Sequence, residues 1–205
     1  MEQNILIKQI FKSHNMKKQA LFLFLLVSVL GFAQGRRNGQ SGIHAQYGFM
    51  PSMSDTKEAA FMANVGYLKV FNEKGWLGKA EAIYGKYEVD YSNNQRLAYE
   101  RYGVNVQAGW TYEGLKPVYL NAFAGVFAGY EKINNGNEND PLFNARIPDK
   151  VKGFTYGISG TAEVEVALIP TKLSFIANYN QFYDMQSKFS KGSYGIFGGF
   201  RFYVN

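Results

Sequence analysis

The stretch YGVNVQAGWTY, residues 102–112, alternates strictly between two kinds of side chain. Apolar or aromatic residues fill the even-numbered positions, and Gly, Asn, Gln and Thr fill the odd-numbered positions between them. A repeat of two residues is typical of a β-strand whose two faces have different surroundings. Whether the apolar face points to the inside or the outside of the protein therefore decides between a soluble and a membrane-embedded fold.

The same alternation recurs along the chain and predicts eight strands, with turn residues between them. In the third strand the apolar positions change parity between Tyr84 and Tyr87, which predicts a β-bulge at Gly85. The predicted strands are residues 42–49, 59–71, 76–91, 98–112, 118–133, 151–168, 172–183 and 193–204.

The connections between these strands alternate in length. Those after the second, fourth and sixth strands are short, whereas residues 50–58, 92–97, 134–150 and 184–192 form longer, more polar connections. An up-and-down meander places all the short turns at one end and all the long loops at the other. Short periplasmic turns opposite long external loops are typical of outer-membrane barrels.

Composition decides which face points inward. In a soluble barrel the polar face would meet water and would be rich in Lys, Glu and Asp. Here the polar faces are mainly Gly, Ser, Asn, Gln and Thr, which suit a narrow, crowded lumen. We therefore predict an all-β fold, an eight-stranded antiparallel up-and-down transmembrane β-barrel with its apolar face toward lipid in the outer membrane.

Aromatic side chains near both ends of the strands predict two girdles at the membrane interfaces. Trp76, Trp110 and Tyr112 are expected at the periplasmic rim. The expected outer rim consists of Tyr87, Tyr91, Tyr130, Phe154, Tyr156 and Tyr194.

The first 33 residues predict an N-terminal extension followed by a cleaved signal peptide. Lys17 and Lys18 precede the apolar run 21–30, and Ala33 offers a cleavage point. Residues 1–15 resemble an extended start upstream of Met16, and the barrel domain is expected to span residues 34–205. An N-terminal membrane anchor is the alternative, although the run is short for a spanning helix.

Charge and cysteine content exclude several classes. Residues 1–33 hold four of the 22 basic and one of the 16 acidic residues, which leaves the mature chain a net charge of +3. No basic run indicates direct nucleic-acid binding. The chain has no cysteine, so disulfides and thiolate metal sites are impossible. No His cluster or calcium-loop spacing indicates a metal, and no cofactor is expected.

Charged residues on the polar faces predict a network of ion pairs in the lumen, because buried charges persist only when they are paired. Arg101 and Glu131, on neighbouring strands, are expected to pair near the outer end. Tyr119, Phe123, Phe127 and Phe197 are expected to fill the remaining space, so that a diffusion pore is not expected. The predicted polar network comprises His44, Lys79, Glu81, Arg101, Asn105, Gln107, Glu131, Glu163, Glu165 and Arg201.

Three segments also resemble a known family: GVFAGYEKINNG (125–136), FTYGISGTAEVEVAL (154–168) and the final GGFRFYVN (198–205). They are similar to the TraO proteins of conjugative transposons, which show a GYExIN-G segment, a YG-x-x-G strand with alternating acids and a closing glycine-aromatic strand. The resemblance covers about residues 120–205. It implies an exported barrel that belongs to the conjugal transfer apparatus and contacts other envelope proteins of that apparatus, and it carries over no catalytic residue.

Two interpretations of the function accompany this one. The loop 134–150, with Asn134, Leu142, Phe143 and Ile147, is either a mobile solvated loop or a docking surface for a partner, and a generic adhesion or membrane-stability barrel would bind partners through such loops. The other alternative is a lipid-modifying enzyme, which would need the one histidine of the mature chain, His44, beside an activated serine. Because His44 is expected inside the barrel near the periplasmic end, we predict that the protein is not an enzyme.

Overall fold

The computed structural model describes residues 38–50, 60–72, 74–91 and 95–204. The predicted signal peptide and most of the connection 50–58 lie outside the described residues. In these ranges eight strands follow one another, together with one short 3-10 helix at Asn134–Gly136. The strands are β1 (Ser41–Phe49), β2 (Phe61–Val70), β3 (Trp76–Asp90), β4 (Arg96–Leu115), β5 (Val118–Ile133), β6 (Lys152–Ile169), β7 (Leu173–Asp184) and β8 (Gly192–Tyr203).

The strands form a closed antiparallel barrel in sequence order, and β8 pairs with β1 to complete the ring. The predicted fold class is confirmed. Closure leaves no free sheet edge, so every strand finds a backbone partner on both sides. In the described ranges, no helix is long and apolar enough to cross a membrane.

Short turns join β2 to β3, β4 to β5 and β6 to β7, and we call this end of the barrel the turn end. The opposite, loop end carries the longer connections. In the turn before β3, the Asn72 Oδ1 accepts hydrogen bonds from the backbone N–H groups of Lys74 (3.0 Å) and Trp76 (3.3 Å). Gly75 adopts φ 89°, a conformation that favours glycine, so this sequence fixes the turn.

Burial alternates along the strands with the opposite sense to that of a soluble barrel. In β4 the residues Asn105 and Gln107 are buried in the lumen, whereas Val104, Val106 and Trp110 are exposed on the outer surface. The polar side of the stretch 102–112 is therefore the inside. Lumen glycines make room for this packing: a Cβ on Gly66 would lie 2.6 Å from the His44 Nε2.

The predicted bulge at Gly85 is wrong. β3 keeps an unbroken register with β4 from Trp76, opposite Trp110, to Asp90, opposite Arg96. Tyr87 therefore lies inside, with only 3% of its surface exposed. Register shifts occur instead at the turn end, between Tyr112 and Leu115 and between Ala167 and Ile169.

The change of parity in β3 has a different cause, which is a change in the surroundings of the strand. Beyond Tyr84 the outward residues of β3 are Lys86 and Glu88, while the inward residues are the apolar Tyr87 and Val89. Near the loop end the strand thus has a polar outside and an apolar inside, as in a soluble barrel. This inversion indicates that the loop end of the barrel projects from lipid into water.

The lumen is layered. An apolar cluster at the loop end includes Met62, Tyr87, Tyr99, Phe127 and Phe197, and a smaller cluster toward the turn end consists of Leu68, Val70, Leu77 and Phe123. Along β3 the inward residues pass from Leu77 through the charged Lys79 and Glu81 to Ile83. Apolar side chains therefore flank the charged layer on both sides. The side chains predicted to fill the lumen, Tyr119, Phe123, Phe127 and Phe197, are all buried in it.

Candidate functional sites in the lumen and on the barrel surface

Glu81 is the centre of the first charged cluster. Its Oε1 lies 3.0 Å from the His44 Nε2 and 3.1 Å from the Lys79 Nζ. Its Oε2 accepts a hydrogen bond of 3.0 Å from the Asn105 Nδ2. All four residues are buried, so the carboxylate exchanges water for the Lys79 ammonium group, the His44 ring and the Asn105 amide.

Arg201 is the centre of the second cluster. Its two terminal nitrogens contact the two oxygens of Glu163 at 2.9 and 3.1 Å, a bidentate pair, and Nη1 also contacts Glu165. The Asn121 Nδ2 donates to Glu163 at 2.8 Å, and the Tyr203 hydroxyl donates to Glu165 at 2.5 Å. One cation therefore neutralises part of the charge of two carboxylates.

Neutral hydrogen bonds extend this network across the barrel. The Gln107 Nε2 donates to the hydroxyl oxygens of Ser159 (2.9 Å) and Thr161 (3.0 Å). Ser159 donates in turn to the Asn105 Oδ1 at 2.7 Å, and Thr161 contacts Asn180. Strands β4, β6 and β7 are thereby tied together through the lumen rather than only through their backbones.

Arg101 does not form the predicted ion pair with Glu131. Its Nη2 contacts the Asp184 Oδ2 at 3.0 Å, at the end of β7. The same nitrogen donates to the Tyr99 hydroxyl at 3.0 Å, and that hydroxyl donates to the Glu131 Oε2 at 2.7 Å. Arg101 and Glu131 do face each other in the β4–β5 register. Inward side chains converge on the barrel axis, however, so the long Arg101 reaches a strand that is not its neighbour.

The structure places all ten residues of the predicted network in the lumen, buried to at least nine-tenths. Sequence reasoning missed Asp184, which seemed to belong to the loop after β7. Its Oδ1 also accepts hydrogen bonds from the backbone N–H groups of Gln186 and Ser187. The signal that was available is parity, because Asp184 continues the inward series of Asn178 and Asn180.

The surroundings of His44 bear on the enzyme alternative. The ring is buried in the lumen between strands, and its Nε2 faces a carboxylate rather than a serine hydroxyl. Such an arrangement holds charge in place but offers no nucleophile to a lipid. Within the described ranges, no group of three His, Asp or Glu side chains is placed to hold a metal ion.

The outer surface carries the predicted girdle residues with two exceptions. Tyr87 points inward and stacks on Tyr99, with ring centroids 4.5 Å apart. Tyr91 packs on Phe189 and against the loop-end cluster. Both assignments were wrong because they rested on the bulge at Gly85. The remaining predicted girdle residues lie on the outward face: Trp76, Trp110, Tyr112, Tyr130, Phe154, Tyr156 and Tyr194.

A row of outward aromatic residues near the loop end completes the outer girdle. Tyr84, Tyr102, Tyr130 and Phe154 are direct cross-strand partners on β3, β4, β5 and β6. We call these four residues the aromatic row. At about 3.3 Å per residue, the strand from Trp110 to Tyr102 spans about 26 Å. With the usual barrel tilt of about 40°, this is about 20 Å along the axis, close to the apolar band of an outer-membrane barrel.

The loop 134–150 divides into buried and exposed residues. Ile147 belongs to the loop-end cluster, and the Asn134 amide donates to the backbone oxygens of Asn137 (3.1 Å) and Asn139 (2.8 Å). These two residues of the predicted partner surface therefore hold the loop in place. Leu142 and Phe143 remain on the surface, with 68% and 67% exposure.

Asp140 fixes the tip of this loop. Its Oδ1 accepts hydrogen bonds from the Gln95 Nε2 (2.9 Å) and from the backbone N–H groups of Leu142 (2.6 Å) and Phe143 (3.2 Å). The Gln95 hydrogen bond above all, and then the two backbone N–H groups, hold the pKa of Asp140 below its usual value. The ionised carboxylate therefore presents Leu142 and Phe143 in a defined position.

These features define a class of protein. A closed eight-stranded barrel with a polar, ion-paired lumen, an apolar outer face and aromatic residues near both ends of its strands is a transmembrane β-barrel of the outer-membrane type.

Solved structures of outer-membrane barrels share this fold. OprG from Pseudomonas aeruginosa is similar with a TM-score of 0.57 and 10% sequence identity, over 84% of this chain and 99% of its own. Neisserial surface protein A is similar with a TM-score of 0.55 and 14% identity, over 82% and 99% of the two chains. Ail, the attachment invasion locus protein of Yersinia pestis, in complex with the heparin analogue sucrose octasulfate, gives a TM-score of 0.50 and 16% identity over 82% and 99%. No protein-family profile and no curated protein sequence matches this chain.

Proposed function

We propose that this chain is an outer-membrane barrel, delivered by its signal peptide, that acts as a structural or assembly component of conjugal DNA transfer, as its resemblance to the TraO proteins implies. In this role it is anchored by outer-membrane lipid and contacts other envelope proteins of the transfer apparatus through its external loops. It neither catalyses a reaction nor binds nucleic acid directly.

The observation that carries this proposal is the place of the segment GYEKINNG, residues 129–136, which the resemblance singles out. Tyr130 lies in the aromatic row, Glu131 accepts the Tyr99 hydrogen bond, and Ile133 is fully buried in the loop-end cluster. Asn134 then starts the loop with φ 50°. The residues of this segment thus set the base of the longest described loop, which supports a role for that loop in binding a partner.

The packed lumen supports a structural role rather than that of a conduit. The charged clusters and the two apolar clusters occupy the interior, and eight strands enclose little more space than side chains fill. A DNA strand has no passage through such a barrel. What remains for interaction is the loop end, where Leu142 and Phe143 are the large exposed apolar side chains of the loop 134–150.

A mating assay tests the proposal. Deleting the gene from a donor strain should reduce transfer, and expression of the wild-type chain should restore it. We expect that a chain lacking residues 136–148, or carrying Leu142→Asp and Phe143→Asp, reaches the outer membrane but fails to restore transfer. Gln186→Asp/Lys188→Asp is the matched control, because both residues are exposed in the connection between β7 and β8 at the same end of the barrel. Full transfer by the loop deletion would contradict a docking role for this loop, and full transfer by the gene deletion would contradict the proposed function.

The alternative is an adhesion or membrane-stability barrel whose loops bind host or matrix molecules. Ail, of similar fold, was solved with a heparin analogue. The loop 134–150 argues against a polysulfated ligand at this position, because Glu138, Asp140 and Asp149 outnumber Arg146 and Lys150. Arg146 is moreover engaged by Glu138 at 3.2 Å. Calorimetric titration with sucrose octasulfate separates the two hypotheses, since binding lost on deletion of residues 136–148 would favour adhesion.

A further inference from the structure

A row of charged residues lies on the outer surface just beyond the aromatic row. Lys86 is opposite Glu100, Glu100 is opposite Lys132, and Lys132 is opposite Lys152. Each is two positions closer to the loop end than a member of the aromatic row. At about 3.3 Å per residue, this places the charges about 7 Å beyond the aromatic rings along the strands.

Lys132 and Lys152 form a like-charged pair in direct opposition on β5 and β6. Such pairs destabilise a sheet, because the side chains of opposed residues lie close together on the same face. Among the described residues, no hydrogen bond or ion pair engages either ammonium group. Glu100, the acidic residue of the row, accepts a hydrogen bond of 2.9 Å from the Tyr102 hydroxyl. Glu100 faces Lys132 but is not opposite Lys152, so the two ammonium groups exceed the one neighbouring carboxylate and leave a net positive charge at this place.

The position of this pair defines its surroundings. Tyr hydroxyls and Trp N–H groups seek the polar edge of the bilayer while their rings stay in the apolar part. The Tyr102 hydroxyl points toward the charged row, as its contact with Glu100 shows. On β3, which carries Lys86, the alternation also inverts at this level, with Tyr87 and Val89 inside and Glu88 outside. The charged row therefore lies at the level of the lipid headgroups of the outer leaflet.

We propose that Lys132 and Lys152 together bind the phosphate group of an anionic lipid of the outer leaflet. A phosphate between the two ammonium groups removes their mutual repulsion and supplies acceptors for both. The acyl chains of the same lipid pack on the apolar outer face below, beside Tyr130 and Phe154. This inference rests on the membrane placement of the barrel and not on a role in DNA transfer.

Lipid binding by the purified, folded chain in detergent micelles tests the assignment, with diphosphoryl lipid A as the probe and native mass spectrometry to count bound lipid. We expect the wild-type chain to bind the lipid. The double variant Lys132→Gln/Lys152→Gln should bind it about 30-fold more weakly, from about fivefold for each lysine near the membrane surface. The variant Lys132→Arg/Lys152→Arg should retain binding, because it keeps both charges.

The matched control is Lys116→Gln/Lys172→Gln, which removes the same charge from exposed lysines at the turn end. This control should bind the lipid as the wild-type chain does. Equal affinity of the Lys132→Gln/Lys152→Gln variant and the wild-type chain would overturn the proposal, and so would an equal loss in the control. Displacement of the lipid by an equimolar amount of inorganic phosphate would show a site for free phosphate and would likewise overturn the assignment to a lipid. Failure of the wild-type chain to enter membranes would instead refute the barrel's placement in lipid.

Discussion

Replacing Arg201 by Met should destabilise the barrel strongly. Arg201 is fully buried and holds Glu163 by two hydrogen bonds and Glu165 by a third. Its removal leaves two carboxylates in the lumen without their cation. Breaking a buried ion pair by removing one partner costs about 3–5 kcal/mol. Because two acceptors lose the same donor, we expect a loss of unfolding free energy at the upper end of this range.

Urea unfolding in phospholipid vesicles, followed by the fluorescence of Trp76 and Trp110, measures this loss. The control Arg146→Met breaks an exposed ion pair with Glu138 and should cost at most about 1 kcal/mol. Adding Glu163→Gln and Glu165→Gln to Arg201→Met removes the unpaired charges together and should restore most of the stability. If Arg201→Met loses no more stability than the control, the lumen charges are hydrated rather than held by pairing, and the reasoning fails.

Three further outcomes follow from particular contacts. Tyr99→Phe removes the hydroxyl that joins Arg101 to Glu131 and should lower the unfolding free energy by about 1–3 kcal/mol, measured by the same urea titration. Val106→Arg, on the exposed face of β4 midway between Tyr102 and Trp110, should cost about 2–4 kcal/mol in a bilayer, whereas a change below about 0.5 kcal/mol would contradict a lipid-facing position. Because the pKa of Asp140 in the folded protein lies below its unfolded value, its contribution to the order of the loop is present above about pH 4 and is lost as the pH falls through the folded pKa. Limited proteolysis of the loop should show this transition in the wild-type chain and not in Asp140→Asn.

The fold was predictable from the sequence because the two faces of each strand carry different residue types, apolar toward lipid and polar toward the lumen. A residue such as Asn105 between Val104 and Val106 is informative, since Asn on a water-facing strand would more often be accompanied by charges. The lengths of the connections then ordered the strands, because alternating short and long connections fit only an up-and-down meander. Both signals are local, so they can be interpreted without knowledge of any long-range contact.

The bulge predicted at Gly85 is wrong because the surroundings of β3 change along its length. The apolar side of a strand marks lipid only while the strand is in the bilayer. Above the aromatic row the lumen is filled by apolar side chains and the outside meets water, so Tyr87 and Val89 follow the rule for soluble proteins. A strand that crosses this boundary changes its pattern without any change of backbone register, and a sequence alone cannot distinguish that from a bulge.

The sequence predicts which residues line the lumen better than it predicts which of them contact one another. The cross-strand register correctly places Arg101 opposite Glu131, yet the guanidinium reaches Asp184 across the barrel. A strand register gives only the residues that are opposite each other on neighbouring strands. In a narrow lumen, inward side chains also contact residues of strands that are not neighbours. The length and rotamer of Arg101 decide its contacts, and neither can be obtained from alternation.

The ion pairs of the lumen also connect the order of the chain to the completion of the ring. Glu81 lies on β3, Glu163 and Glu165 lie on β6, and Arg201 lies on β8, the strand that pairs with β1. Until this last strand arrives, the two carboxylates of β6 have no guanidinium, and an open sheet would expose them on the side that becomes the lumen. A partly assembled barrel would therefore expose unpaired carboxylates to the lipid chains, whereas the closed barrel buries them as ion pairs in its lumen. Membrane entry and the joining of β1 to β8 are therefore expected to occur as one concerted event, with Arg201 as the residue that completes both.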